Sequence, residues 1–138
     1  MEIRFFIPMQ IPTATAQTHR ISAGKGRKAA VYDSPALRDA REKFTAHLAQ
    51  HRPMKPMTGA LQLTTQWYFP IKGKHIPGDY KITRPDTDNL VKLFKDCMTK
   101  TGYWIDDAQV AVEITEKRYS DIPGILVHVT QLPAGDRL

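Results

Sequence analysis

The sequence predicts a single α+β domain with its elements in the order β-α-β-α-β-β. Three observations carry this. The chain has 138 residues, inside the usual range for one domain and large enough to bury a real core. Two stretches repeat apolar residues at helical spacing, and four short ones alternate or cluster β-branched and aromatic residues. The turn signals fall between these stretches and not within them.

Each element has its own warrant. Residues 2–8 are rich in Ile and Phe and read as a strand. From Met9 to about Ser34 the chain is rich in Thr, Ala, Gly and Lys without a period, and is expected to be a long loop. Ser34-Pro35 is a helix start, with Ser34 as N-cap and Pro35 in the first turn. Leu37, Arg41, Phe44 and Leu48 follow at helical spacing, and Pro53 and Pro56 stop the helix near Gln50. Residues 59–69 alternate in part (Leu61, Leu63, Trp67, Phe69) as a strand does. Residues 70–85 hold Gly73, Pro77 and Gly78 and form a second loop. From Thr87 to Lys100 the pattern is a strong helix. Leu90, Val91, Leu93, Phe94, Cys97 and Met98 fill one side, and Asp88, Lys92, Lys95, Asp96 and Thr99 the other. Gly102 stops it. Val110 to Tyr119 and Ile125 to Leu132 are two further strands, parted by the turn at Pro123-Gly124.

Composition excludes several classes. With 41% hydrophobic and 25% charged residues, wholesale disorder is excluded. No apolar run nears the roughly 20 residues that cross a bilayer. The first residues read as a strand and not as a signal peptide, so a cytoplasmic location is expected. The single cysteine, Cys97, excludes an internal disulfide and a Cys-based zinc cluster, and its place on an apolar helix face makes it a core residue. His19, His47, His51, His75 and His128 form no metal pattern. Trp67 and Trp104 are expected to pack and not to stack on bases.

Charge is divided along the chain. Residues 1–85 carry 14 basic and 5 acidic side chains, a net of +9; residues 86–138 carry 6 and 9, a net of −3. One basic run holds Arg20, Lys25, Arg27 and Lys28. A second holds Lys72, Lys74, His75, Lys81 and Arg84. Basic loops attract polyanions, chiefly nucleic acid, although they also serve as plain solubilising surface.

The acidic part needs its own account. Asp86 and Asp88 stand at a loop-to-helix junction, Lys92 is four residues on from Asp88 on the same face, and Asp106 and Asp107 follow the Gly102 stop. If that later turn folds back over the helix N-terminus, one of its two aspartates joins Asp86 and Asp88. Three such carboxylates could hold Mg²⁺ or Mn²⁺, which favour oxygen ligands. Paired ions of this kind serve both oxygens of a phosphodiester displacement. A nearby ammonium, Lys92, could steady developing charge. The plain alternative is that these aspartates cap a helix and a turn, which would leave a non-catalytic basic DNA-binding module. A hydrolase of small phosphoesters is a third reading, and it leaves the basic region without a role.

Asp86-Thr87-Asp88-Asn89-Leu90-Val91-Lys92, followed by Asp106-Asp107-Ala108-Gln109-Val110, resembles the RusA family of Holliday junction resolvases. Val31-Tyr32, Tyr68-Phe69-Pro70 and Lys117-Arg118-Tyr119 extend the likeness over most of the chain. The resemblance implies a mixed sheet backed by helices, a homodimer, and Mg²⁺- or Mn²⁺-dependent cutting of four-way DNA junctions in recombination and repair. It implies that Asp86, Asp88 and Asp107 bind metal and that Lys92 is essential, with Asp106 less directly placed. Symmetry argues separately for a dimer, because two cuts on opposing strands of a two-fold junction suit two equivalent sites. The basic loops would hold the junction arms, by shape more than by base edges.

Overall fold

The computed structural model describes residues 1–13, 19–22 and 30–135. Its elements are β1 (Glu2–Pro8), β2 (His19–Ser22), β3 (Ala30–Asp33), α1 (Pro35–Ala49), β4 (Leu61–Pro70), α2 (Thr87–Thr101), β5 (Val110–Ser120) and β6 (Gly124–Gln131), with a one-turn 3-10 helix at Asp107–Gln109. The expected β-α-β-α-β-β order holds for the main body. The expected loop over residues 9–34 differs. It contains β2 and β3, paired as a separate antiparallel hairpin with Arg20 opposite Tyr32. Four-residue strands are too short to show a period of two, so the pattern along the sequence does not reveal them.

The main sheet has the order β1-β6-β4-β5. β1 and β4 both run antiparallel to β6, while β4 and β5 run parallel. A parallel neighbour needs a crossover, and α2 supplies it. β4 is buried at every second residue (Leu61, Leu63, Thr65, Trp67, Phe69). That face receives both helices.

α1 buries Leu37, Ala40, Phe44 and Leu48. Ala40 takes the core position, and Arg41 is only half-buried and faces Asp96 at 3.9 Å. The Ser34 hydroxyl accepts the Leu37 N–H at 3.1 Å, as an N-cap should. α2 buries the six predicted apolar residues and Thr101. Phe44, Phe94 and Trp67 meet edge-to-face, with ring centroids 5.3–6.0 Å apart, so α1, α2 and β4 lock at one point. This knot fixes α2, and α2 carries the candidate site.

Cys97, Trp67 and Trp104 are all buried, as expected of packing residues. No helix among the described residues is long and apolar enough to cross a membrane.

Candidate functional site

The N-terminus of α2 sets the geometry. Asp86 is its N-cap in extended conformation (φ −73°, ψ 147°), and its carbonyl accepts the first helical bond from Leu90 N–H at 3.2 Å. Its carboxylate accepts no bond from the helix. That departs from the capping role which Asp commonly has at this position. Asp88 and Lys92 project from the first turns, and both are exposed. They do not form the ion pair that their spacing permits. Among the described residues the carboxylates of Asp86, Asp88 and Asp107 make no hydrogen bond or ion pair. Nearby Asp96 and Glu113 do, with Arg41 and with Lys95 (2.8 Å).

The loop before α2 is stitched to the outer side of β5. Gly78 N–H donates to Tyr119 O at 2.8 Å, Tyr119 N–H to Asp79 O at 2.9 Å, and Lys81 N–H to Lys117 O at 3.0 Å. Arg118 donates to Gly78 O and to the Tyr80 hydroxyl, and its guanidinium lies 4.1 Å from the Tyr80 ring centre. Lys117 Nζ donates to Thr83 O at 2.7 Å and to Pro85 O at 2.8 Å. Burial pushes the Lys117 ammonium below its ordinary pKa, the neighbouring Lys81 adds to that, and Asp86 opposes it. Residue-by-residue reading gave Lys117 and Arg118 no place in a site. In sequence they look like ordinary exposed charges on a strand, and only their reach to the loop reveals a role.

The second acidic turn lies elsewhere. Gly102, in left-handed conformation (φ 91°), ends α2. Because β4 and β5 are parallel, with Leu61 opposite Val110 and Pro70 opposite Ser120, α2 must run back along the sheet. Its two ends are therefore about 22 Å apart, from 15 residues at 1.5 Å each. Asp86 and Asp88 stand at one end and Asp106 and Asp107 at the other. The fold-back of this turn over the helix N-terminus, the condition for joining these carboxylates, is not met within one chain. Accordingly, no group of three metal-ligating side chains is present among the described residues.

The turn itself is built precisely. Asp106 Oδ1 accepts Ala108 N–H at 2.9 Å, and Gln109 Oε1 accepts Ile105 and Asp106 N–H. Gln109 Nε2 donates to Met57 O and Gly59 O. Asp106 is thus engaged as a turn cap, whereas the half-buried Asp107 carboxylate is not. Asp107 lines an open cleft of about 490 Å³ with Arg41, Asp96, Thr99, Lys100, Ile105 and Asp106.

The basic residues divide. Lys72, Lys74 and Arg84 are exposed in the loop before α2. Lys81 is half-buried over the Phe69 and Tyr119 rings, with Nζ on Thr83 Oγ1 at 2.6 Å. His75 stacks on Tyr119 with ring centres 4.2 Å apart and faces Asp79 at 3.3 Å, which ties it to the loop's own structure. Lys25, Arg27 and Lys28 lie outside the described residues. Arg20 is on β2.

A family model described as Endodeoxyribonuclease RusA matches residues 8–130. The chain is 31% identical over 123 residues to a protein of Lactococcus phage r1t named Crossover junction endodeoxyribonuclease rusA, spanning 88% of this chain and 91% of that protein. It is 30% identical over 113 residues to Uncharacterized protein YqaN of Bacillus subtilis strain 168, spanning 72% of this chain and 78% of that one.

Proposed function

We propose that this chain, which belongs to the RusA family of endodeoxyribonucleases, is a Mg²⁺-dependent, structure-selective endonuclease that resolves four-way DNA junctions by paired symmetric cuts in recombination and repair. The observation that carries the reading is the set Asp86, Asp88 and Lys92. All three are exposed on the first turns of one helix, and none of their side chains makes a hydrogen bond or ion pair among the described residues. An aspartate that served only as a cap would bond the helix N–H groups, as Asp106 does in its own turn. Asp86 does not.

The donor set fits a hard divalent cation. Free carboxylate oxygens are the ligands that Mg²⁺ and Mn²⁺ favour, with water filling the remaining positions. Asp86 and Asp88 would hold the ion from one chain. When bound, it would supply charge neutralisation at the scissile phosphate and acidify the attacking water. Lys92, one turn beyond Asp88, offers an ammonium to charge developing on the phosphate oxygens. Lys72, Lys74 and Arg84 are exposed in the loop that leads into α2 and would meet the DNA backbone.

A homodimer completes the set. Asp107 is too distant within one chain, so it would come from a second copy. β5 is the edge of the main sheet, and segment 78–81 covers only its C-terminal end. Its earlier residues expose Val112 and Ile114 (39% and 42%). Two such edges related by a two-fold axis pair antiparallel. The start of one strand, with Asp107 before it, then faces the end of the other, where Lys117 holds the Asp86 loop. The pairing would also cover an edge otherwise prone to non-specific association.

The test is cleavage of a strand-labelled four-way junction and of the matching linear duplex, with Mg²⁺ and with EDTA. The reading expects Mg²⁺-dependent symmetric nicks in the junction alone. Junction binding without cleavage under any divalent metal would favour the non-catalytic module.

A further inference from the structure

The residue that anchors the Asp86 loop lies on another strand. Lys117 Nζ donates to the carbonyls of Thr83 and Pro85 at 2.7 and 2.8 Å. These carbonyls bracket Arg84, and the second belongs to the peptide joined to Asp86. An ammonium has three donors, and here two converge on a single turn. The main chain of Lys117 holds the same turn through Lys81 N–H. Lys81 Nζ adds a bond to Thr83 Oγ1 at 2.6 Å. No other cation among the described residues reaches this turn's carbonyls.

We propose that Lys117 is a positioning residue for the metal-binding carboxylates: its ammonium fixes the 83–85 turn so that Asp86 and Asp88 are presented in one arrangement. The inference rests on the reading that these carboxylates hold a divalent ion. Lys117 has two opposed effects there. Its charge repels a cation near Asp86, and its bonds hold the turn in place. Repulsion at an exposed site is weakened by water and salt, whereas charge-assisted bonds of 2.7–2.8 Å are short and strong. Without them the turn would have to be ordered again at each binding event, at the entropic cost of fixing its residues. Positioning therefore outweighs repulsion. Loss of such a support typically weakens metal binding by about 10–100-fold.

The test uses the full chain. Lys117→Met keeps the aliphatic stem and removes both donors and charge. Lys117→Arg keeps the charge and N–H donors. Mn²⁺ affinity is measured without DNA, from the electron paramagnetic resonance signal of free Mn²⁺. We expect the Met variant to bind Mn²⁺ about tenfold more weakly or worse, and the Arg variant to lie closer to wild type. Circular dichroism and junction binding in EDTA stay unchanged, and the metal concentration for half-maximal cleavage rises in proportion. Wild-type or tighter Mn²⁺ affinity in a folded Met variant overturns the inference. Should the Met variant not fold, Lys117→Gln leaves one amide donor, and unchanged Mn²⁺ affinity there overturns it equally. A wild-type chain that binds no Mn²⁺ and cuts no junction overturns the metal reading itself, which separates the two failures.

Discussion

If each site draws Asp86 and Asp88 from one protomer and Asp107 from its partner, two inactive variants should restore each other. Asp88→Asn and Asp107→Asn would each be weakened by about 100-fold or more, the scale of losing one group that stabilises transition-state charge. In a mixed dimer, one site takes Asp86 and Asp88 from the Asp107→Asn protomer and Asp107 from the Asp88→Asn protomer. That site is intact, while the other lacks both carboxylates. Random re-association of equal amounts makes about half of the dimers mixed, each with one intact site of two. Nicking should therefore return to about a quarter of the wild-type rate per total protein. The basis is the separation of about 22 Å between the two ends of α2, too long for Asp107 to reach Asp88 within one chain. The assay is nicking of a labelled junction by variants carrying two different affinity tags, so that mixed dimers can be isolated and their number known. Mixed dimers as inactive as either parent would refute the shared site.

Three further outcomes concern stability and reactivity. Tyr103→Phe removes a buried hydroxyl that donates to Leu48 O at 2.6 Å. That carbonyl keeps the His51 N–H at 3.2 Å, so the urea unfolding midpoint should fall by about 1 kcal/mol equivalent; an unchanged midpoint would show that the bond contributes nothing. Gly124→Ala would place a Cβ against the Ile7 carbonyl and within 2.5–2.9 Å of the Phe6 ring. Thermal melting should report a loss of about 1–3 kcal/mol, and wild-type melting would show that β1 and β6 can part locally. Burial raises the pKa of Cys97, so it stays a thiol at neutral pH, and the thiolate is the reactive form. A disulfide reagent should label it slowly in the native protein and rapidly in urea; rapid native labelling would place it at the surface.

The main body was legible in the sequence because its elements are long and periodic. Every apolar residue assigned to one side of α2 is buried, and β4 alternates without a break. The strands β2 and β3 were not legible, since four residues show no period. The site was legible as composition and only partly as geometry. Asp86, Asp88 and Lys92 gather on α2 because helical spacing forces them to. Asp107 does not join them, because its placement depends on the direction of β5 relative to β4. A parallel pairing sends α2 the full length of the sheet, and nothing in the local sequence announces it. Lys117 belongs to the stretch that carries the family likeness, but its hold on the loop was not legible, for a related reason. A charged residue on a strand gives no sign of its partners until the loop before α2 is laid beside it.

The central claim is that the carboxylates at the start of α2 perform the cut and do not merely hold the fold. It is tested most directly by Asp88→Asn, compared with wild type for single-turnover cleavage and for binding of one four-way junction in Mg²⁺. Asp88 is exposed and has no partner among the described residues, so the variant should fold and bind the junction like wild type while its cleavage is lost. Cleavage at the wild-type rate by a folded Asp88→Asn protein would contradict the account.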